Sequence, residues 1–204
     1  MNDDERNEIK IILVGMTGTG KTNIINALTG KKFEENKLST TTSSFIDKTI
    51  TIKNKKYNLE IWDTAGQEKY RSLTKIFIND SKIVIFVYDI TTRSSFEEID
   101  FWVKSVKDIL GNSPVFGLAG NKKDLYQNEE VSEEEGEKKA QEIGAFFKLT
   151  SAKTEQVGIN EFMQSLLEEY IKKTGGNTEE NNEKSKNREN SFNLIEVKKK
   201  SKCC

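Results

Sequence analysis

A glycine-rich segment from Gly15 to Thr22, with the sequence GMTGTGKT, carries residue types that can bind phosphate. It follows the apolar run 11–14 and leads into a segment with helical spacing. In this order of strand, loop and helix, a G-x-x-x-x-G-K-[ST] match indicates a phosphate-binding loop. Glycine backbones can aim successive N–H groups at a phosphate, and the helix adds the positive end of its dipole. The segment therefore predicts a nucleotide site; the alternative is a glycine turn without a ligand.

Individual residues of this loop have predicted roles. The ammonium group of Lys21 can reach the β- and γ-phosphates, and the hydroxyl of Thr22 can coordinate Mg²⁺. No role is expected of Asn23. The residues expected to contact the nucleotide phosphates are Gly15, Thr17, Gly18, Thr19, Gly20, Lys21 and Thr22.

A second polar cluster, 63–68, follows a predicted strand that ends at Trp62. The carboxylate of Asp63 can hold Mg²⁺ directly or through water. Gly66 lets a backbone N–H approach a terminal phosphate, and Gln67 can orient an attacking water molecule. Alone this cluster indicates a simple turn, but together with the glycine loop it predicts a second part of one nucleotide site.

Two further loops predict which base is bound. The carboxylate of Asp124, in the segment Asn121-Lys122-Lys123-Asp124, can accept hydrogen bonds from N1–H and the 2-amino group of guanine, neither of which adenine offers. A backbone N–H near Ala152 could meet the guanine carbonyl. Each loop alone is also typical of a polar turn. The predicted base-binding residues are Asn121, Lys122, Asp124, Ser151, Ala152 and Lys153.

These loops require a framework of alternating strands and helices. Hydrophobic patterns predict strands at 8–14, 46–52, 57–62, 83–88, 115–119 and 146–149. Helices are expected from Lys21 to about Gly30, between Glu68 and Ile78, from a Ser94 or Ser95 cap to Leu110, over Ser132–Ile143, and around Ile159–Tyr170. Such alternation predicts an α/β fold with a mostly parallel, doubly wound sheet, whose ligands bind beyond the carboxyl ends of the strands. All four polar loops fall at that edge.

Composition excludes several other classes of protein. The chain has 204 residues, a length that suits one domain plus a tail, and it contains no histidine. A mechanism that needs an imidazole base is therefore excluded. The only cysteines are Cys203 and Cys204, so neither a disulfide framework nor a cysteine zinc site is expected. The net charge of −1 argues against nucleic-acid binding. Residues 1–8 are polar and acidic, unlike a signal peptide, and no run is long enough to span a membrane, so an intracellular location is expected.

The motifs also resemble those of a known family. The sequences WDTAGQEKYRSLT at 62–74 and FVYDIT at 86–91, with the loops above, resemble Ras-superfamily small GTPases of the Rab family. The resemblance implies a P-loop G domain with a six-stranded sheet over residues 8–173, a flexible N-terminus at 1–7 and a disordered tail at 174–204. It also implies a switch that binds and hydrolyses GTP, cycles between GDP and GTP states with Mg²⁺, and regulates vesicle trafficking.

The resemblance assigns further residues by position. Thr40 matches the threonine that coordinates Mg²⁺ and contacts the γ-phosphate, and Phe33 matches the aromatic residue that packs on the guanine ring. The implied catalytic residues are Gln67, Lys21 and Thr40, and the implied metal ligands are Thr22, Thr40 and Asp63. Thr17 stands where the family often has glycine or serine, and its branched side chain would crowd a catalytic residue from outside. We therefore expect slow unaided hydrolysis, with a GTPase-activating protein supplying most of the rate.

Two segments depart from the family pattern, at 41–45 and 76–80. Both lie where effectors and regulators read the nucleotide state, so the identity of partners is not inherited from the family. The classes of partner implied are effectors, an exchange factor, a GTPase-activating protein, a GDP-dissociation inhibitor and an escort protein, all acting on a monomer. The small residues Ser43 and Ser44 resemble the endosomal branch of the family.

The end of the tail predicts membrane attachment. Basic residues at 198–202 precede Cys203 and Cys204, an arrangement that is not a C-a-a-X box. The double cysteine resembles the Rab substrate for geranylgeranylation of both thiols, and two lipids with nearby lysines would anchor the chain stably. The expected location is the cytoplasmic face of an intracellular membrane, with a cytosolic pool. An apolar patch at 194–197 resembles the segment that escort proteins bind.

Three alternatives stay open from the sequence. A P-loop ATPase or nucleotide kinase would share the glycine loop but not the Asp124 loop. A nucleotide-binding scaffold with negligible turnover would not need Gln67. Another branch of the small GTPases would leave Cys203 and Cys204 unmodified.

Overall fold

A six-stranded sheet forms the centre of the fold. The computed structural model describes residues 8–33, 44–64 and 76–175. The strand order is β2-β3-β1-β4-β5-β6, and every pair is parallel except β2 with β3. This confirms the predicted mostly parallel α/β sheet. The strands are β1 (Glu8–Val14), β2 (Ser44–Ile52), β3 (Lys55–Asp63), β4 (Ile83–Asp89), β5 (Val115–Asn121) and β6 (Ala145–Leu149).

Helices connect the parallel strands. The first follows the glycine loop, a short helix and a longer one follow β4, and a 3₁₀ helix at Lys123–Asn128 follows β5. A helical stretch also lies at 76–78. The α-helices are α1 (Lys21–Leu28), α2 (Arg93–Glu97), α3 (Ile99–Leu110), α4 (Glu133–Ile143) and α5 (156–175).

Two neighbouring strands inside the sheet, β4 and β5, are buried along their whole length. Every residue of β4 and β5 is buried, as continuous apolar runs predict for parallel strands covered on both faces. On β4, Phe86 and Tyr88 pack with Trp102 of α3 in one hydrophobic cluster. Ile99 and Val106 of α3 are also fully buried, which confirms the predicted apolar face of that helix. Packing in the core therefore fixes the positions of the strands, and the polar loops follow the ends of these strands.

The predicted hairpin of β2 and β3 is confirmed. Ile52 pairs with Lys55 across a two-residue turn formed by Lys53 and Asn54. Both turn residues have positive φ, 48° and 63°, which is the backbone of a type I′ turn. This turn matches the right-handed twist of the strands.

One predicted helix cap is confirmed and one is wrong. Ser132 and Glu135 form the reciprocal capping box at the start of α4. The helix predicted to begin at Ser94 or Ser95 instead begins at Arg93 as α2. The side chain of Ser95 is turned inward, where its hydroxyl accepts a hydrogen bond from the N–H of Asp89 and contacts the carbonyl of Thr92 at 2.7 Å. Ser95 therefore closes the loop after β4 and does not cap the helix, whose N-cap is Thr92.

The chain divides into two compact units, Met1–Glu168 and Glu169–Cys204. Of the second unit the structure describes 169–175, which are helical, two residues beyond the predicted domain end at 173. Most of the helix predicted at 68–78 and the predicted tail lie outside the described residues. Within 8–33, 44–64 and 76–175, no helix has the length and apolar character needed to cross a membrane.

Candidate nucleotide-binding site

The glycine loop joins β1 to α1 at the carboxyl edge of the sheet. Gly15, Gly18 and Gly20 all have positive φ, at 151°, 79° and 94°. A Cβ at Gly15 would lie 2.1 Å from the carbonyl oxygen of Val87, and one at Gly20 would lie 2.3 Å from Nδ2 of Asn121. Only glycine fits these two positions, because the backbone of Val87 and the side chain of Asn121 lie too close to leave room for a Cβ.

Lys21 begins α1, and its side chain lies inside the loop. Its Nζ donates hydrogen bonds to the carbonyl oxygens of Gly15 and Met16, both at 2.9 Å. Burial lowers the pKa of Lys21 to about 8, although the charges of Asp63 and Glu98 act in the opposite direction. A buried ammonium group at the centre of a glycine loop can bind a phosphate that enters the loop.

The end of β3 brings a carboxylate to the start of α1. Leu13 and Asp63 are partners in the parallel pairing of β1 with β3. The hydroxyl of Thr22 donates a 2.7 Å hydrogen bond to Oδ2 of Asp63. The hydroxyl of Thr64 donates to the carbonyl of Leu13 at 2.6 Å and so fixes the same strand end. A hydroxyl and a carboxylate oxygen are hard ligands of the kind that Mg²⁺ prefers, so this pair fits that ion.

Asn121, the last residue of β5, connects three loops. Its Nδ2 donates to the carbonyl of Thr19 in the glycine loop at 2.8 Å. Its Oδ1 accepts a 3.2 Å hydrogen bond from the hydroxyl of Thr150 and a 3.3 Å hydrogen bond from the N–H of Ala152. One fully buried amide therefore holds the predicted phosphate loop and the predicted base loops in a fixed relation.

The predicted base-binding residues also meet. The hydroxyl of Ser151 donates to Oδ1 of Asp124 at 2.5 Å, and it accepts from the N–H of Thr154 at 3.1 Å. The Nζ of Lys153 lies 5.8 Å from the centre of the Phe33 ring, within the range of a cation–π contact. Residues far apart in the sequence thus gather at one end of the sheet, as the motif order predicts.

Some predicted site residues belong to segments that the structure does not describe. Thr40, Gly66 and Gln67 lie outside the described residues, as do Cys203 and Cys204. Thr17 is half-buried in the glycine loop. Thr150 and Asp89, which have no predicted role, contact Asn121 and Lys122 respectively. Thr150 precedes the predicted loop residue Ser151, and Asp89 belongs to the FVYDIT segment. In the sequence, only these positions next to recognised motifs indicate that the two residues belong to the site.

Comparison with known proteins agrees with this geometry. A family profile described as Ras family matches residues 10–172. The chain is 39% identical over 162 residues to the Ras-related protein Rab-21 of Homo sapiens, which covers 79% of this chain and 72% of that protein. It is 38% identical over 160 residues to the Ras-related protein RGP2 of Oryza sativa subsp. japonica, covering 78% and 73%. It is 37% identical over 175 residues to the Ras-related protein Rab-13 of Bos taurus, covering 86% of each. The chain therefore belongs to the Ras family, and it is a Rab-type GTPase, one of the guanine nucleotide switches of vesicle traffic.

Proposed function

We propose that the residues at the carboxyl edge of this sheet bind GTP and GDP together with Mg²⁺. The observation that carries the proposal is the position of Asn121, whose amide joins the glycine loop to the loop of Ala152. A phosphate cradle and a guanine-reading loop are thereby held at a fixed separation. This arrangement selects a nucleotide rather than a phosphate or a base alone.

The phosphate end of the site is built from the loop of Gly15 to Thr22. Lys21 pairs with the β- and γ-phosphates, in exchange for its present bonds to backbone carbonyls. Thr22, Asp63 and Thr40 hold Mg²⁺, which when bound neutralises charge on the β- and γ-phosphate oxygens. The burial of Lys21 strengthens its attraction for phosphate, because charges interact more strongly where water is excluded.

The base end of the site selects guanine. Asp124 accepts hydrogen bonds from N1–H and the 2-amino group, and Ser151 holds its carboxylate in place. The N–H of Ala152 meets the guanine carbonyl, while Phe33 and Lys122 pack against the nucleotide. Lys153 lies beside Phe33 and limits the movement of its ring. Adenine would leave the Asp124 carboxylate without donors, at a cost that excludes it.

Hydrolysis and switching involve two loops, the one that follows Asp63 and the one that follows α1. Gln67 orients the attacking water, and Gly66 and Thr40 contact the γ-phosphate. Loss of that phosphate releases both loops, so that partners meet two different surfaces.

Effectors then bind a surface beside these loops. The rings of Phe45 and Phe77 each lie 5.2 Å from that of Trp62. Half of Phe45 and 64% of neighbouring Ile76 are exposed. Trp62 and Phe77 are partly buried against the core, and the exposed side chains of Phe45 and Ile76 beside them suit an apolar partner surface. Because Ile76 and Phe77 belong to a segment that departs from the family pattern, effectors are selected by this chain's own residues. An exchange factor, a GTPase-activating protein, a GDP-dissociation inhibitor and an escort protein complete the set of partners.

The tail attaches the switch to an intracellular membrane. Cys203 and Cys204 both carry geranylgeranyl groups, and the lysines at 198–202 add attraction to anionic lipids. The protein then occupies the cytoplasmic face, with a cytosolic pool, and the residues Ser43 and Ser44 favour an endosomal membrane. Mass spectrometry of protein purified from cells tests the modification directly. Unmodified thiols would contradict the proposed anchor.

The nucleotide assignment is tested by competition and turnover. GTP is expected to displace a fluorescent GDP analogue from the purified protein in the presence of Mg²⁺, whereas ATP is not. Phosphate release from bound GTP should be detectable for the wild type and lost in Gln67→Leu. Displacement by ATP would indicate a P-loop ATPase instead. Equal release from both proteins would show that Gln67 does not orient the water.

A further inference from the structure

A buried carboxylate lies beneath the base-binding loop. Oδ2 of Asp89, the last residue of β4, lies 2.6 Å from Nζ of Lys122. The Asp89 side chain is only 7% exposed, and the Lys122 side chain is 34% exposed. Asp89 is paired in the sheet with Asn121, so this ion pair joins the ends of two neighbouring strands. No motif of the nucleotide site includes Asp89.

The Asp89 carboxylate is fixed in place by its own loop. Its Oδ1 accepts hydrogen bonds from the N–H of Thr91 at 2.9 Å and from the Thr91 hydroxyl at 2.8 Å. The backbone adds further links, since the N–H of Ile90 donates to the carbonyl of Asn121 at 3.1 Å. The carboxylate can therefore impose a position on Lys122, because its own position is already determined.

Lys122 needs such a constraint because of its backbone. It has φ of 67° and ψ of 34°, a left-handed conformation that costs a residue with a side chain about 1–2 kcal/mol. This residue turns the chain out of β5 and into the 3₁₀ helix at Lys123–Asn128. The N–H of Lys123 then donates to the carbonyl of Thr150 at 3.0 Å, which brings Asp124 against Ser151. The direction of the Asp124 carboxylate thus depends on the turn at Lys122.

We propose that Asp89 is a positioning residue for guanine recognition, acting through its ion pair with Lys122. The inference rests on the proposed function, because it assigns a support to the same base-binding loop. By holding Lys122 in its left-handed turn, Asp89 sets the angle at which Asp124 meets the base. Loss of the pair weakens contacts to the guanine edge more than contacts to the phosphates, which the separate glycine loop provides.

The test compares two nucleotides that differ only at the base edge. Dissociation constants for GDP and for inosine diphosphate, which lacks the 2-amino group, are measured with Mg²⁺ for the wild type and Asp89→Asn. The variant is expected to bind GDP about tenfold or more weakly, because a neutral amide no longer forms the ion pair with Lys122. The ratio of its dissociation constants, inosine diphosphate over GDP, should be smaller than that of the wild type. The matched control is Asp100→Asn, which removes the surface ion pair to Lys139 and should leave both constants unchanged.

A second variant covers the case in which Asp89→Asn does not fold. Thr91→Val removes only the hydroxyl donor to Asp89. It should also lower the ratio of the two dissociation constants, but by a smaller factor than Asp89→Asn. If either folded variant keeps the wild-type ratio of the two constants, Asp89 is merely structural and the inference is overturned. A wild-type protein that fails to bind GDP would refute the proposed function itself, which is a separate outcome.

Discussion

The hydroxyl of Thr22 donates a 2.7 Å hydrogen bond to Oδ2 of Asp63, although the two residues are 41 positions apart in the sequence. Thr22 is the second residue of the helix after the first strand, and Asp63 is the last residue of a hairpin strand. Parallel pairing of β1 with β3 places both at the same sheet edge. Two oxygen ligands of the proposed Mg²⁺ site are therefore already adjacent, so binding the ion needs little rearrangement of them.

The first prediction concerns that pair. Thr22→Val keeps the shape of the side chain but removes its hydroxyl, so one proposed Mg²⁺ ligand is lost. GDP should dissociate about 10- to 100-fold faster in Mg²⁺, as expected when an interaction with a charged group is removed. The measurement is the release of a fluorescent GDP analogue, with and without excess EDTA.

Thr22→Ser is the control, since it retains the hydroxyl and should release GDP nearly as slowly as the wild type. For Thr22→Val, EDTA should accelerate release less than it does for the wild type. An unchanged response of that variant to EDTA would show that Thr22 does not contact the ion.

The second prediction follows from the buried ammonium of Lys21. Its pKa is about 8 in the folded protein, below the 10.5 of an unfolded chain. Between these values the unfolded state binds more protons, so stability rises with pH. Relative to Lys21→Met, the nucleotide-free wild type should gain about 2 kcal/mol of unfolding free energy between about pH 7.5 and 9.5.

Urea unfolding at several pH values measures this difference. Lys104→Met, which removes an exposed lysine from α3, controls for general effects of pH and should follow the wild type. A difference between the wild type and Lys21→Met that is constant over this range would mean that Lys21 is not desolvated.

Much of this site could be predicted from the sequence because its parts are local. The glycine loop needs positive φ at fixed positions, and only a particular spacing of Gly15, Gly18 and Gly20 provides it. Likewise, the buried strands β4 and β5 appear as continuous apolar runs. The strand order then brings the motif loops together without further information.

The parts that could not be predicted depend on side-chain direction across elements. Serine is a residue type that commonly caps helices, but the hydroxyl of Ser95 turns inward and accepts a hydrogen bond from the N–H of Asp89. The left-handed turn at Lys122 carries no glycine or asparagine signal. The contact of Thr150 with Asn121 joins residues from two strand ends. The contacts of Lys122 and Thr150 are made with distant segments, and the direction of the Ser95 hydroxyl depends on the fold of its own loop, so no local pattern records any of the three.

The third prediction separates a close contact from backbone strain. A Cβ at Gly20 would meet Nδ2 of Asn121 at 2.3 Å, whereas one at Gly144, which also has positive φ, meets no atom within 4 Å. Gly144→Ala should therefore cost only about 1–2 kcal/mol of unfolding free energy, the cost of a left-handed alanine. Gly20→Ala should cost more, because it also displaces the Asn121 amide from Thr19. Urea unfolding of the nucleotide-free variants measures both; equal losses would contradict the contact.

The fourth prediction changes the base that is bound. Asp124→Asn replaces a carboxylate oxygen by an amide that donates, which suits the 2-carbonyl of xanthine rather than the 2-amino group of guanine. Affinity for GDP should fall about 100-fold, while that for xanthosine diphosphate rises. Competition binding against the fluorescent GDP analogue measures both. Asp108→Asn, at an exposed carboxylate on α3, serves as the control. A variant that still prefers GDP would place the base elsewhere.

The fifth prediction concerns the rate of hydrolysis. Thr17 is half-buried in the glycine loop, and its branched side chain narrows the approach for a residue supplied by a GTPase-activating protein. Unaided single-turnover hydrolysis should be slow, about 10⁻⁴ to 10⁻³ per second as for Ras without its activator. Thr17→Gly should leave this unaided rate nearly unchanged. It should increase the stimulation by a GTPase-activating domain, because the residue that this domain supplies then reaches the nucleotide without contacting the Thr17 side chain. Fast phosphate release from the purified wild type would contradict the expectation, and equal stimulation of both proteins would show that Thr17 does not restrict entry.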